Sequence, residues 1–220
     1  LNMEMSENSF FDRTCRMLLN LHFIEEVKSG NITMDMVKKI EQEINDEVGG
    51  RLIVVNKNDL SPQDIADISK RKEDELGHKI NSIVADSASA MHMPNNDEVA
   101  AAVQNSRALK EVAKKENKCI FLINHCNASA PHYVRDISSY IRGGTKTLDN
   151  GDGYFMLSKI VDQDKSNFNW SPPDIIAAQG LVWVRFVNKR ESGNTIDKVL
   201  SISDDLVLDL ESRDPKEFQH

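Results

Sequence analysis

The sequence predicts an α/β fold, with a mostly parallel, twisted sheet, flanking helices and an antiparallel extension towards the C-terminal end. Two patterns lead to this prediction. Up to about residue 123, short apolar runs alternate with stretches of helical periodicity, which is typical of parallel strands joined by right-handed crossovers. After Gly153, apolar runs follow one another without helical stretches between them, which favours antiparallel strands.

The predicted helices begin at residues whose side-chain oxygen can accept a hydrogen bond from the first turn. The predicted cap of the first helix is Ser6 or Ser9, the second helix is expected to open at Thr33, the predicted cap of the third is Ser61, and the fourth follows a break in the chain at residues 94–97. The first three helices are expected to end at glycines, because glycine readily adopts the left-handed conformation that closes a helix. These glycines are Gly30, Gly49 and Gly77. The fourth helix, residues 97–117, is expected to bury one apolar face, formed by Val99, Val103, Leu109 and Val112.

The predicted strands fall into two groups. The group expected to be parallel comprises residues 1–6, 52–55, 80–85 and 119–123, and residues 52–55 are interpreted as a buried strand. The group expected to be antiparallel comprises residues 154–161, 181–187, 199–202 and 206–210. No composition shift divides the 220 residues, so we predict a single domain over residues 1–220.

The composition excludes several classes of protein. The 27 basic and 35 acidic residues give a net charge of −8, so DNA binding would have to come from local loops. No apolar run approaches about 18 residues and the start has no secretory pattern, which predicts a cytoplasmic protein without a membrane partner. Three cysteines without paired spacing make disulfide and zinc frameworks unexpected.

Polar side chains follow three of the predicted parallel strands or lie at their ends. They are Glu4, Asp86 and His125. Side chains at the carboxyl ends of parallel strands emerge at one edge of the sheet, where ligands of doubly wound folds bind. Nucleotide hydrolysis needs a carboxylate to orient water, an acid to hold magnesium and a polar group to contact the terminal phosphate. Glu4, Asp86 and His125 are candidates for these three roles in that order.

Four stretches, in their order and spacing, resemble the ATPase core of the RecA superfamily, and most closely that of DnaB-type replicative helicases. They are LNMEMS (1–6), INSIVADSAS (80–89), IFLINH (120–125) and YIRGGTKTLDNGDGYFML (140–157). The resemblance implies ATP and Mg²⁺ as cofactors. It also implies that Glu4 is the catalytic carboxylate, that Asp86 is the Walker B acid that holds Mg²⁺, and that His125 senses the terminal phosphate, as in phage helicase-primases.

The fourth stretch resembles the second DNA-binding loop of both helicases and recombinases. The resemblance implies that it binds single-stranded DNA through Arg142, Gly143, Gly144 and Lys146, with Arg135 extending the surface. Glycines let the backbone approach a phosphate, and the basic side chains supply charge-assisted contacts. An ordinary solvated turn is the alternative interpretation.

Three further basic residues have roles only through the resemblance. Arg190 matches an arginine finger that reaches a neighbouring subunit's phosphates, which implies a homo-oligomer, either a hexameric ring or a filament. Lys189 and Arg13 match basic positions near the nucleotide. Family members usually separate the two late basic residues by one position, whereas Lys189 and Arg190 are adjacent. Solvated charges at a hairpin are the alternative interpretation of this pair.

The 220 residues contain no G-x-x-x-x-G-K-[ST] motif, which in this family lies upstream of the E-M-S element. The chain is therefore interpreted as the C-terminal part of such a core. The leading prediction is an ATP-dependent DNA helicase acting in DNA replication, of phage or mobile-element type. One alternative is a recombinase on single-stranded DNA, favoured by Gly143, Gly144 and Ser87. The other alternative is a non-catalytic module that binds a partner.

Overall fold

The computed structural model describes residues 1–19, 21–49, 51–93, 97–126, 140–141, 144–159, 181–188 and 195–201. By compactness the chain divides into two units, Leu1–Asn58 and Asp59–His220, which we describe in turn. The predicted single domain over residues 1–220 stays a prediction. None of the described helices combines the length and the apolar character needed to span a membrane.

The first unit contains three helices, α1 (Glu7–Leu19), α2 (Phe23–Lys28) and α3 (Met34–Val48). Ser6 caps α1, because its Oγ accepts a hydrogen bond from the Ser9 backbone N–H at 3.2 Å. Helix α3 opens after Thr33 as predicted, and the Thr33 side chain caps it by accepting a hydrogen bond from the Met36 N–H. Among the described residues of this unit, the buried apolar side chains are those of Met3, Cys15 and Ile40.

The single helix predicted to run to Gly30 is wrong, because the chain forms α1 and α2 instead. The carboxylate of Asp12, buried in α1, accepts a hydrogen bond from the Ile24 N–H at 2.8 Å. The rings of Phe11 and Phe23 meet edge to face, with centroids 4.9 Å apart. These contacts fold α2 back towards α1, and helical spacing does not reveal the break because apolar residues continue through it.

Two predicted strands of the first unit are also wrong. Residues 1–6 form a tight turn with one parallel bridge, between Asn2 and Asn56, because the Asn2 side chain binds Met5 rather than leaving the backbone extended. Residues 52–55 form no strand and are not fully buried, since Leu52 is 54% exposed. A strand requires a continuous ladder, and the described part of this unit offers only the bridge.

The second unit begins with alternating helices and strands, as predicted. The elements are α4 (Pro62–Leu76), β1 (Ser82–Ala85), a 3-10 helix (Ala88–Ala90), α5 (Glu98–Glu116) and β2 (Cys119–Leu122). Ser61 and Asp64 form a capping box at the start of α4, and the Asp97 side chain caps α5. Strands β1 and β2 pair in parallel, with Ser82 opposite Cys119 and Ala85 opposite Leu122.

The orientation of α5 differs from the prediction. Val99 is 55% exposed, whereas Leu109 is buried together with small and polar side chains. The buried set is Ala101, Ala102, Asn105, Ser106 and Leu109. Alanine lets a helix approach its neighbours closely, so the buried face is set by small residues rather than by the valines. Two polar side chains thereby lie on the buried face.

The antiparallel pairing of the later strands is confirmed for the described residues, in which these strands form a sheet of their own rather than an extension of the β1–β2 pair. A short helix, α6 (Lys146–Asp149), precedes β3 (Gly153–Lys159), which pairs with β4 (Leu181–Asn188), and β4 pairs with β5 (Thr195–Ser201). The predicted strand at residues 206–210 lies outside the described residues. The described ladders hold two parallel and three antiparallel strands, so they do not form a mostly parallel sheet. The described parallel strands are fewer than predicted because residues 1–6 and 52–55 contribute only a bridge.

Candidate functional site

The carboxyl ends of β1 and β2 are held side by side beyond the last residues of the strands. The Ile123 N–H donates to the Ala85 carbonyl at 3.0 Å, and the Ala88 N–H donates to the Ile123 carbonyl at 2.9 Å. These bonds extend the parallel pairing past the strands and fix the segments that carry Asp86 and His125.

Asp86 and His125 meet at this edge, as the sequence predicts. A carboxylate oxygen of Asp86 and a ring nitrogen of His125 lie within 4.8 Å of each other. Asp86 is half-buried and His125 is exposed, and the peptide bond between Asp86 and Ser87 is cis. A carboxylate oxygen is the hard ligand that Mg²⁺ prefers, and an imidazole N–H can donate to a phosphate oxygen. The side chains at this edge therefore fit a magnesium–phosphate group.

The residues next to this pair face the protein interior. Ser87 is fully buried, and its Oγ lies 2.7 Å from the Oγ of Ser89. Asn124 lines a small cavity of about 10 Å³ together with residues of the 3-10 helix and α5. Successive residues of an extended segment point to opposite sides, so Asn124 packs inward while His125 stays exposed. The sequence analysis did not single out Asn124. Its position directly before a candidate site histidine is the sequence signal that could have identified it.

Glu4 lies in the first unit, on the turn that precedes α1, and its side chain is exposed. The side chain of Asn2 closes this turn. Its Nδ2 donates to the Met5 carbonyl at 2.7 Å and to Asn56 Oδ1 at 2.6 Å, while its Oδ1 accepts from the Met5 N–H at 3.0 Å. Asn2 is 5% exposed and was missed by the sequence analysis, although asparagine is typical of turns that bond their own backbone.

Three other predicted residues are described. Arg13 is exposed on α1, and Lys146 is exposed at the start of α6. Gly144 has φ +81°, a conformation that favours glycine, and its N–H donates to the Ile141 carbonyl at 2.9 Å. The positive φ of this turn is therefore a local reason for glycine at position 144.

The remaining predicted site residues lie outside the described residues, and their roles stay predictions. They are Arg135, Arg142, Gly143, Lys189 and Arg190. The structure describes Asp86 and His125 together, at one edge of β1 and β2, and it describes Glu4, Arg13, Gly144 and Lys146 each in its own local setting.

No family model matches the sequence, and no curated protein matches it. Among solved structures, the chain is similar to a DnaB-like replicative helicase, described together with its interactions with primase, with a TM-score of 0.67 and 14% identity. That match covers 91% of this chain and 47% of the helicase chain, so this chain spans about half the length of that relative.

A second match is a solved ATPase domain, with a TM-score of 0.70 and 14% identity. It covers 93% of this chain and 71% of that domain's chain. Such low identity is informative about the fold and not about the activity. The chain has the fold shared by the solved DnaB-like replicative helicase and the solved ATPase domain.

Proposed function

We propose that this chain is part of the ATPase core of a DnaB-type DNA helicase that acts in DNA replication. The observation that supports it best is the approach of Asp86 and His125 to within 4.8 Å at the carboxyl ends of two parallel strands. In open α/β sheets this edge is where ligands bind. The structural likeness to a replicative helicase and to an ATPase domain adds to this support.

The proposed roles follow the chemistry of each side chain. Asp86 would hold Mg²⁺, which supplies positive charge to the phosphates of bound ATP. The His125 ring would donate a hydrogen bond to an oxygen of the terminal phosphate, and its exposure leaves it accessible to that group. Glu4 would accept a hydrogen bond from the attacking water and orient it, and the Asn2 contacts hold the turn on which Glu4 lies.

The proposal extends to the other predicted residues. Gly144 and Lys146 would contact single-stranded DNA. Arg142 and Gly143 of the same stretch would do so too, as would Arg135, which lies just before it. Arg190 would serve as the arginine finger in a ring, in which each subunit completes its neighbour's site. Lys189 and Arg13 would contact the nucleotide. We also propose that the protein acts in the cytoplasm, where replication of a phage or mobile element takes place.

The test uses the complete product of the gene, with ATP hydrolysis and unwinding of a forked duplex as the measurements. We expect Glu4→Gln to leave ATP binding intact and to abolish turnover, because glutamine cannot accept the proton of the attacking water. Asp86→Asn is expected to weaken magnesium-dependent binding of ATP as well. Glu41→Gln, at an exposed position of α3, is the matched control and should keep wild-type turnover.

The outcomes separate the alternatives. Unwinding that requires Glu4 supports the helicase proposal. Pairing of homologous strands without unwinding would instead support a recombinase. If the wild-type product hydrolyses no ATP, with or without single-stranded DNA, the chain is a non-catalytic module and the proposed roles of Glu4, Asp86 and His125 are wrong.

A further inference from the structure

The buried face of α5 carries a polar side chain, that of Ser106, which binds a segment well beyond the helix. Ser106 is 9% exposed, and its Oγ donates to the Val103 carbonyl at 3.0 Å. The same Oγ accepts a hydrogen bond from Asn150 Nδ2 at 2.8 Å. Asn150 Nδ2 also lies 3.3 Å from the Val103 carbonyl. The amide of Asn150 is therefore bound to two oxygens of α5.

One turn further along α5, Lys110 forms an ion pair with Asp152. The Lys110 side chain is 20% exposed and that of Asp152 is 51% exposed. Asn150 and Asp152 directly follow α6, and β3 begins at Gly153. Two separate contacts with α5 thus fasten the short connection between α6 and β3.

The fastened connection lies within residues 140–157, directly after the residues of that stretch that are proposed to contact DNA. In that stretch Gly144 adopts a left-handed conformation and Lys146 is exposed, whereas Thr147 is buried. The Thr147 N–H donates to the Gly144 carbonyl at 3.2 Å and the Leu148 N–H donates to the Thr145 carbonyl at 2.9 Å. A helix of four residues cannot stabilise itself, because nucleation costs more than so few hydrogen bonds return. Its order must come from contacts outside it.

We propose that Asn150 and the Lys110–Asp152 ion pair are positioning residues, which hold residues 144–149 in the conformation that binds single-stranded DNA. The inference rests on the proposed function and adds residues that do not touch DNA. A segment ordered before binding loses less conformational entropy when it binds, so the anchors strengthen binding without contacting the ligand.

The sign of a charge change separates positioning from simple electrostatics. Asp152→Lys adds positive charge, which by itself strengthens binding to DNA. If the ion pair positions the segment, Asp152→Lys should instead weaken binding to DNA, because the new lysine would face Lys110 and release the segment. We therefore expect Asp152→Lys and Lys110→Asp each to weaken the affinity for DNA about tenfold, a loss of about 1.4 kcal/mol. The exchanged pair Lys110→Asp with Asp152→Lys restores both the contact and the net charge, and is expected to recover most of the affinity.

The measurement is fluorescence anisotropy of a labelled oligothymidylate, titrated with the complete gene product at fixed salt concentration. Glu111→Lys is the matched control, because Glu111 lies on the same helix in an exposed pair with Lys114. It makes the same kind of charge change and should leave the affinity unchanged or slightly higher. Asn150→Ala, which changes no charge, is expected to weaken binding as the single charge variants do.

A second readout does not depend on DNA. Hydrogen exchange at the Thr147 and Leu148 amides should accelerate in Asp152→Lys and return to the wild-type rate in the exchanged pair. Tighter DNA binding by Asp152→Lys, or unchanged exchange at these amides, would overturn the proposal. If the wild type binds no DNA, the role in DNA binding is wrong, and ATP turnover still decides the proposed function separately.

Discussion

The Nζ of Lys118 lies 3.1 Å from a carboxylate oxygen of Glu73, and both side chains are buried. Lys118 immediately precedes β2, and Glu73 lies in the last turn of α4. The Ile80 N–H, just before β1, donates to the same oxygen at 2.8 Å, and Lys118 also donates to Ser69 Oγ at 2.8 Å. One carboxylate thereby ties the start of each parallel strand to α4.

Replacing Lys118 with Met should destabilise the fold by about 1 to 3 kcal/mol, because the buried carboxylate of Glu73 loses its buried partner and keeps only the exposed Lys79, whose Nζ lies 3.7 Å away. The measurement is the free energy of unfolding from urea titration. Lys72→Met is the matched control, since the ion pair of Lys72 with Glu75 is partly exposed and should contribute little to stability. Equal losses in the two variants would contradict a special role for the buried pair.

The same carboxylate predicts a dependence of stability on pH. The hydrogen bond from the Ile80 N–H lowers the pKa of Glu73, and Lys118 lowers it further, against the opposing effect of burial. A carboxyl whose pKa is lowered by folding stabilises the fold at pH values above its unfolded-state pKa of about 4.3. This stabilisation is lost as the pH falls through the lower folded-state pKa.

We therefore expect the stability difference between wild type and Glu73→Gln to be constant near neutrality and to shrink below about pH 4.3. Thermal or urea unfolding measured over a series of pH values checks this. A difference that stays constant down to the lowest pH at which the protein folds would mean that Glu73 ionisation does not support the fold.

Two cysteines should differ sharply in reactivity. Cys15 is fully buried, and burial, followed by the Asp12 carboxylate, raises the pKa of its thiol to about 11. At pH 8 only about one thousandth of it would be thiolate, the reactive form. Cys119 is exposed. Iodoacetamide labelling followed by peptide mass spectrometry should find Cys119 modified and Cys15 unmodified until denaturant is added, and early modification of Cys15 would contradict this packing.

Asn2→Ala should loosen the turn that carries Glu4. The change removes an acceptor for the Met5 N–H and two donated hydrogen bonds, all part-buried, and should destabilise the fold by about 0.5 to 1.5 kcal/mol. Faster hydrogen exchange at the Met5 amide is the expected result. Asn31→Ala is the control, because the Asn31 side chain binds Glu26 at an exposed site, and it should change neither this exchange rate nor stability noticeably.

The 220-residue chain should bind Mg²⁺–ATP more weakly than micromolar. The glycine-rich loop and lysine that provide most phosphate contacts in such cores are not among these residues. Isothermal titration calorimetry checks the prediction directly. A micromolar dissociation constant would show that other residues of the chain supply the phosphate contacts.

Local signals explain which parts of the fold were predictable. The starts of α3 at Thr33 and of α4 at Ser61 depend on side chains that act within their own first turn, so the neighbouring sequence is enough to identify them. The approach of Asp86 to His125 was also predictable, because both residues follow apolar runs that read as neighbouring parallel strands.

Contacts between distant residues explain what was missed. Asn2 depends on Asn56 for one of its hydrogen bonds, and Glu73 depends on Lys118, and neither partner is visible in a local pattern. The face that α5 buries was misjudged for a similar reason, since the choice between valine and alanine faces depends on what packs against the helix. Tertiary packing decided these features.

The parallel register of β1 with β2 also has a consequence for how the chain acquires its structure. The 3-10 helix and the whole of α5 lie between the two strands in sequence, so the strands cannot pair until that long connection has closed. Helix α5 forms from local contacts and is expected to be present in the folding transition state before the strand pair. Folding kinetics should show this order, with Ala102→Gly on α5 slowing folding and Val84→Ala in β1 mainly accelerating unfolding.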